Sequence, residues 1–291
     1  MATSLTGEAA ETVESIMATV SYTATEIRQG LVGRRSAVDE ENPSGETQFE
    51  ADVWADRLLR ERLASVDGVA QYASEESPTV LECGDLETGL SVATDPLDGS
   101  SNLKSNNTMG TIVGVYDEPL PAPGTSLVAA AYVLYGPIVT MMVATDDAVR
   151  EYELGGGERT LIQEDVRLPD DPVVFGVGGR AQHWVDEVES YVSEIETELK
   201  LRYGGAMIGD VNQVMTYGGL FAYPTLETHP EGKLRVQFEG NPIGYIVERA
   251  GGASSDGHRS LLEVEPTELH QRTPVYIGNT EYVDRLEAAF E

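Results

Sequence analysis

The chain has 291 residues, 41% of them apolar and 24% charged, enough to bury a core in one large domain or two closely packed ones and too apolar for a disordered chain. Its 50 acidic residues outnumber 19 lysines and arginines, a net charge of −31, which excludes nucleic acid as a partner because phosphate backbones demand a basic surface. The acids are spread along the chain and only Lys104, Lys200 and Lys233 are lysines, a halophilic pattern in which an acidic surface stays hydrated while concentrated salt screens its self-repulsion.

In chain order, Val13, Ile16, Met17, Val20 and Ile27 fall at helical spacing and Gly30 ends the run. The N-terminal segment Met1 to Glu14 has no apolar core of a signal peptide. A second helix is expected over Glu50–Leu63, with Val53, Leu58 and Leu59 among its apolar residues. Cys83 is the single cysteine, so no internal disulfide can form; a buried or half-buried thiol and a cytoplasmic setting are expected. Strands are expected at Leu90–Thr94, Thr111–Tyr116, Leu127–Tyr135 and Ile138–Ala144, with short turns that favour a mainly antiparallel sheet. The apolar stretch Leu127–Ala144 is long enough to suggest a membrane span, but Gly136-Pro137 splits it into two strands, and no membrane association is expected.

Gly155-Gly156-Gly157 marks a hairpin tip or loop, and Leu168–Pro172 the best boundary between two domains, 1–170 and 171–291. The second part alternates: a strand at Val173–Val177, a helix marked by Val185, Val188, Val192, Ile195 and Leu199, and a strand at Leu234–Phe238. Asn241-Pro242 reads as an N-cap followed by a helix-starting proline, and Gly251-Gly252 closes that helix. The fold class is therefore α/β: an α+β first half, an α/β second half, packed in layers.

The segment richest in chemistry is Asp95-Pro96-Leu97-Asp98-Gly99-Ser100-Ser101-Asn102, directly after a strand. Two carboxylates at a strand end can share one hard cation, and magnesium favours a few carboxylates together with water and phosphate oxygens. Gly99-Ser100-Ser101 offers small side chains and backbone N–H groups suited to a phosphate. Asp-x-x-Asp-Gly by itself is also ordinary turn chemistry; the full octapeptide is not.

This octapeptide resembles the signature of the lithium-sensitive, metal-dependent sugar and inositol phosphatases. Further blocks resemble the class I fructose-1,6-bisphosphatase branch: Ala73–Glu76, Leu127–Gly136, Arg202-Tyr203, Tyr217–Pro224, Gly232–Arg235, Glu239–Pro242 and Pro266–Pro274, in the same order along the chain. The resemblance implies a layered αβαβα sugar-phosphatase fold and hydrolysis of the C1 phosphate of fructose 1,6-bisphosphate in gluconeogenesis. Another sugar phosphate, such as sedoheptulose 1,7-bisphosphate or an inositol phosphate, is the alternative substrate. It implies two or three Mg2+ per site, replaceable by Mn2+, on Glu75, Asp95, the Leu97 carbonyl, Asp98 and Glu239.

By the same resemblance Asp52 and Glu76 are the catalytic acids that orient and deprotonate the attacking water, with Glu46 and Arg235 in support. Against this, Asp52 and Asp56, four residues apart, also read as a solvated helix face. Asp98, Gly99, Ser100 and Ser101 would hold the phosphate to be removed. Tyr203, Met207, Tyr223 and Lys233 would contact the sugar and the retained phosphate. Arg202 resembles an arginine that reaches the neighbouring subunit's site, which implies a homo-oligomer, dimer or tetramer. One departure stands out: Gly176-Val177-Gly178-Gly179 replaces a segment that ordinarily binds the retained phosphate, leaving Arg180 or His183 as stand-ins or bisphosphate selectivity relaxed.

Overall fold

The computed structural model describes residues 7–45, 47–156 and 158–291, with the side chains of Asp39 and Glu40 not described. Helix α1 (Glu8–Gly30) is followed by the short pair β1 (Ala37–Glu41) and β2 (Thr47–Phe49), then α2 (Glu50–Leu63). Strands β3 (Val69–Ser74), β4 (Leu81–Glu82), β5 (Leu90–Asp98), β6 (Met109–Tyr116), β7 (Leu127–Tyr135), β8 (Val139–Thr145), β9 (Val149–Gly155) and β10 (Glu158–Gln163) form one sheet. Its order is β10-β9-β8-β7-β6-β5-β3-β4, antiparallel at every pairing except that of β3 with β5.

The remaining elements build a second sheet. They are β11 (Val174–Val177), α3 (Asp186–Ile195), β12 (Lys200–Leu201), α4 (Met207–Tyr217), β13 (Gly219–Tyr223), β14 (Leu234–Arg235), α5 (Asn241–Arg249), β15 (Ala253–Ser255), β16 (Arg272–Thr273), β17 (Val275–Gly278) and α6 (Thr280–Ala289). The five-stranded sheet runs β12-β11-β13-β17-β15, while β14 pairs with β16 apart from it.

Strand alternation explains the layering, because successive side chains leave a sheet on opposite faces. One face of the large sheet, with Val113, Val115, Ala131, Val133 and Met141, meets Ile16, Val20, Leu59 and Leu63 of α1 and α2. The opposite face, with Ile112, Ala130, Tyr132 and Met142, meets Ile208, Val211, Ile243 and Ile246 of α4 and α5, which also cover Phe221 and Ile277 of the small sheet. Phe175, Leu220 and Tyr276 face outward onto Val188, Ile195 and Leu286 of α3 and α6. Five layers result, αβαβα, with one core continuous across both halves.

Several expectations are corrected. Val53 is 44% exposed on α2, whereas Leu58 and Leu59 are buried. The expected strand Leu234–Phe238 ends at Arg235, and Val236–Gly240 winds one wide helical turn that runs straight into α5. That turn takes over the capping of α5: Gly240 already has helical dihedrals, so Asn241 is the first helical residue and not a side-chain cap. Its amide donates instead to the Ala122 carbonyl at 3.3 Å. Helix α3 stops at Ile195, and Leu199 lies past its end, bonded back to the Ile195 carbonyl at 2.8 Å. The split at Gly136-Pro137 is the β7–β8 turn, and Gly155–Gly156 lies at the β9–β10 tip. Among the described residues no helix is long and apolar enough to cross a membrane.

Candidate active site

Strand β5 delivers Asp95, Leu97 and Asp98 to the seam between the halves. Residues three apart in a regular strand point to opposite faces. Here Asp95 pairs with Ile112 and Asp98 with Gly110, so one extra residue is accommodated on β5 and the strand is bulged. The bulge turns both carboxylates into the same pocket. Thr111 Oγ1 donates to the Pro96 carbonyl at 2.8 Å, and the Leu97 N–H donates to Asp95 Oδ1 at 2.9 Å, which fixes the bulge from both sides.

Glu75 and Glu76 leave the end of β3, which runs parallel beside β5, and the Glu75 N–H donates to the Thr94 carbonyl at 3.0 Å. Glu239 comes from the wide turn after β14 and accepts the Arg235 N–H at 2.7 Å. One oxygen from each of Glu75, Asp95 and Glu239 lies within 4.8 Å of the others, and all three residues are buried. Asp98 adjoins them in the pocket, its Oδ2 accepting the Ile208 N–H at 2.7 Å in the first turn of α4, where the helix dipole favours an anion. Asp52 sits in the first turn of α2 and accepts the Phe49 N–H at 2.7 Å. Glu76 accepts a bond from Gln48 Nε2.

The pocket is a cavity of about 440 Å3 lined by all six of these carboxylates together with Leu97, Gly99, Ser100, Ser101, Tyr203, Met207, Tyr223, Lys233 and Arg235. Gly99 has φ 73°, and a Cβ there would stand 2.1 Å from the Ala206 Cβ, so only glycine admits this approach of the loop to α4. Asn102 locks it there, its amide donating to the Thr108 carbonyl at 2.8 Å and the Gly204 carbonyl at 3.0 Å.

Five of the six acids are buried, and the buried cation among them is Arg235, with Nη2 2.8 Å from Glu75 and Nη1 3.8 Å from Glu239. Burial, then the neighbouring carboxylates Glu75, Asp98 and Glu239, hold Asp95 well above the usual carboxylate range. Burial, then the Glu75 charge, does the same for Glu239. Asp98 is pushed up to about 7 by burial, against the Ile208 bond. Glu76 rises to about 8 through burial, then Asp52 and Glu75. Massed acids that resist ionisation are unstable as anions by themselves, and divalent cations supply the missing counter-charge. Three buried carboxylate oxygens converging from separate segments are a hard-cation donor set, so the residues fit metal ions of that class.

The family model described as Fructose-1-6-bisphosphatase, N-terminal domain, matches residues 1–164, and that described as Fructose-1-6-bisphosphatase, C-terminal domain, matches residues 168–291. A class 1 fructose-1,6-bisphosphatase of Natronomonas pharaonis is 59% identical over 281 residues, 96% of this chain and 99% of the relative. The chain belongs to the fructose-1,6-bisphosphatase family. A class 1 member from Halobacterium salinarum is 56% identical, over 96% of this chain and 98% of its own length. Among solved structures the holo form of the Leishmania major fructose-1,6-bisphosphatase superposes with a TM-score of 0.90 at 28% identity, covering 96% of this chain and 94% of that one. The fructose-1,6-bisphosphatases are phosphoric monoester hydrolases, and this chain is an enzyme of that class.

Of the residues singled out in the sequence, Glu46 lies outside the described residues. Arg202 does not line the carboxylate pocket: its Nη1 donates to Gln213 Oε1 at 2.6 Å, it lies over the Tyr217 ring, and it borders an adjacent cavity with Tyr203 and Asp210. The other residues assigned to the metals, the water, the sugar and the phosphates meet in the one cavity, whereas Arg180 and His183 border a different one and Asp56 lines neither. The solvated-face reading of Asp52 and Asp56 is overturned, since they are 2% and 4% exposed and Asp56 is bonded to Tyr72 and paired with Arg60. Sequence reasoning missed Gln48, the partner of Glu76; nothing in its spacing marks it. Cys83 is half-buried, as expected.

Proposed function

We propose that this pocket removes the C1 phosphate of fructose 1,6-bisphosphate, giving fructose 6-phosphate and inorganic phosphate, with its place in gluconeogenesis and in the cytoplasm. The observation that carries the reading is the convergence of Glu75, Asp95 and Glu239 within 4.8 Å beside the Gly99–Ser101 loop. Mg2+ ions, two or three, with Mn2+ as a substitute, would be held by Glu75, Asp95, the Leu97 carbonyl, Asp98 and Glu239. When bound they would neutralise phosphoryl oxygens and lower the pKa of water.

The chain's own residues supply the rest. Gly99, Ser100 and Ser101 receive the phosphate that leaves, and the rigid anchoring of this loop on Ala206 and Gly204 keeps it in line with the acids. Asp52, held by the Phe49 N–H, orients the attacking water. Glu76 accepts its proton; burial and the charges of Asp52 and Glu75 raise this carboxyl, and bound cations would supply the counter-charge that keeps it ionised for that role. Arg235 balances the acids when a phosphate enters. Met207 borders the sugar, while Tyr203, Tyr223 and Lys233 face the phosphate that stays. No side-chain nucleophile is required. The position of Arg202 outside its own pocket supports a homo-oligomer in which it serves the adjoining subunit, and the chain division near 170/171 marks the two parts that close on the site.

Phosphate release from fructose 1,6-bisphosphate is the test. Asp52→Asn and Glu76→Gln are expected to lower kcat by roughly 10²–10⁴-fold, and turnover at the unmodified rate in both would refute these roles.

A further inference from the structure

Three consecutive residues at the start of β16 fasten three segments that meet at the acids. His270 Nε2 lies 3.0 Å from the Ser77 carbonyl, at the end of the turn that carries Glu75 and Glu76. The Gln271 carbonyl accepts the Val236 N–H at 2.9 Å, where the wide turn that carries Glu239 begins. Arg272 Nη2 donates to the Ser44 carbonyl at 3.0 Å, in the β1–β2 connection whose Asn42 borders the acidic pocket.

The first of these contacts bears on the chemistry. β3 ends at Ser74. Past it, the Glu76 N–H donates to Ser74 Oγ at 3.2 Å and the Ser77 N–H to the Ser74 carbonyl at 3.1 Å. Both bonds lie within the turn, whereas His270 holds it from 193 residues further along the chain. The same imidazole packs on Phe238, with ring centroids 5.2 Å apart, and Phe238 is fully buried and directly precedes Glu239. His270 therefore touches the Glu75–Glu76 turn with its edge and the Glu239 turn with its ring.

The residue type fits this task. A carbonyl only accepts, so the proton of the His270 bond sits on Nε2. The other nitrogen, Nδ1, is buried and has no hydrogen-bond partner among the described residues. A buried unpaired nitrogen costs stability, and a phenylalanine would pack on Phe238 without that cost. What a phenyl ring cannot do is donate to Ser77.

We infer that His270 is a positioning residue of the phosphatase site. It fixes the Glu75–Glu76 turn of the first half against the Glu239 turn of the second, and so sets the spacing of the carboxylates for metal ions and the place of Glu76 beside the attacking water. The inference rests on the phosphatase reading of the pocket. Groups that hold metal ligands from behind change metal affinity or activity by about 10- to 100-fold when removed, because a small misplacement of a reacting group is costly.

Three variants separate the bond from the packing. His270→Phe keeps a ring on Phe238 without a donor, His270→Asn carries its donor one methylene short, and His270→Gln returns an amide nitrogen to the reach of Nε2. With fructose 1,6-bisphosphate, kcat is expected to fall about tenfold or more in the Phe and Asn variants, with KM for the sugar unchanged and most of kcat recovered in Gln. Mn2+ binding without substrate, followed by electron paramagnetic resonance, is expected to weaken about tenfold in the same two variants and to recover in Gln. Equal kcat and Mn2+ affinity in all four proteins overturns the role. So does a loss through KM alone, a Gln variant no better than Phe, or a loss that only tracks a smaller folded fraction in urea unfolding. Failure of the unmodified enzyme to release phosphate would refute the phosphatase reading instead, and Mn2+ affinity across the four proteins would still decide whether His270 positions the acids.

Discussion

Arg235 Nη2 lies 2.8 Å from Glu75 Oε1, a pair in which the two side chains are 3% and 8% exposed and which joins the end of β3 in the first half to β14 in the second. The same guanidinium approaches Glu239, and the Arg235 N–H holds that carboxylate. One cation is therefore shared by acids from both halves, at the place where they converge.

Arg235→Ala should leave those buried acids with too little counter-charge. The loss of stability is expected at about 3–5 kcal/mol in urea unfolding without divalent cations, the usual cost of removing one partner of a buried pair. Saturating Mg2+ should recover part of it. A variant as stable as the unmodified chain in the presence of chelator would contradict the electrostatic role assigned to Arg235.

Metal binding should show in stability as well as in turnover. Mg2+ or Mn2+ at a hundredfold excess over its dissociation constant is expected to stabilise the fold by about 2.7 kcal/mol, read as a rise in Tm relative to chelator. Asp95→Asn and Glu239→Gln should each remove most of that rise, because both residues supply oxygens to the converging cluster. A rise of equal size in both variants would place the ions elsewhere.

Asp210 gives a prediction about pH. Burial pushes it up to about 6 against two backbone bonds, and its Oδ2 has no hydrogen-bond partner among the described residues. The folded-state value exceeds the unfolded one, so its contribution to stability is complete at low pH and is lost as pH rises through about 6. Asn cannot ionise and keeps an oxygen for the Gly204 N–H, which is 2.7 Å from Asp210 Oδ1. Asp210→Asn is expected to be more stable than the unmodified chain at pH 7.5, by about 1 kcal/mol or more, with the difference shrinking toward pH 5. A constant difference across that interval would show that Asp210 does not titrate there.

The net charge of −31 predicts a salt requirement. Raising monovalent salt from dilute to molar at fixed Mg2+ should raise Tm, by about 2–4 °C for each kcal/mol of repulsion screened. A flat Tm across that range would mean that self-repulsion does not limit this fold.

Residue pattern alone determined the helices α1 and α2, the four strands β5 to β8 among the eight of the large sheet, and the metal-and-phosphate character of Asp95–Asn102, since each depends on a local period or on neighbours in the chain. The resemblance of scattered blocks supplied the other acids. What only the tertiary structure decided lies in departures from regular geometry and in contacts between distant segments. The β5 bulge turns Asp95 and Asp98 to one side, the wide turn at Val236–Gly240 brings Glu239 back to Arg235, and bridges through Leu226 set His229 near His183. Spacing reports the period of an element, whereas bulges, widened turns and long-range bridges arise when packing elsewhere outweighs that period.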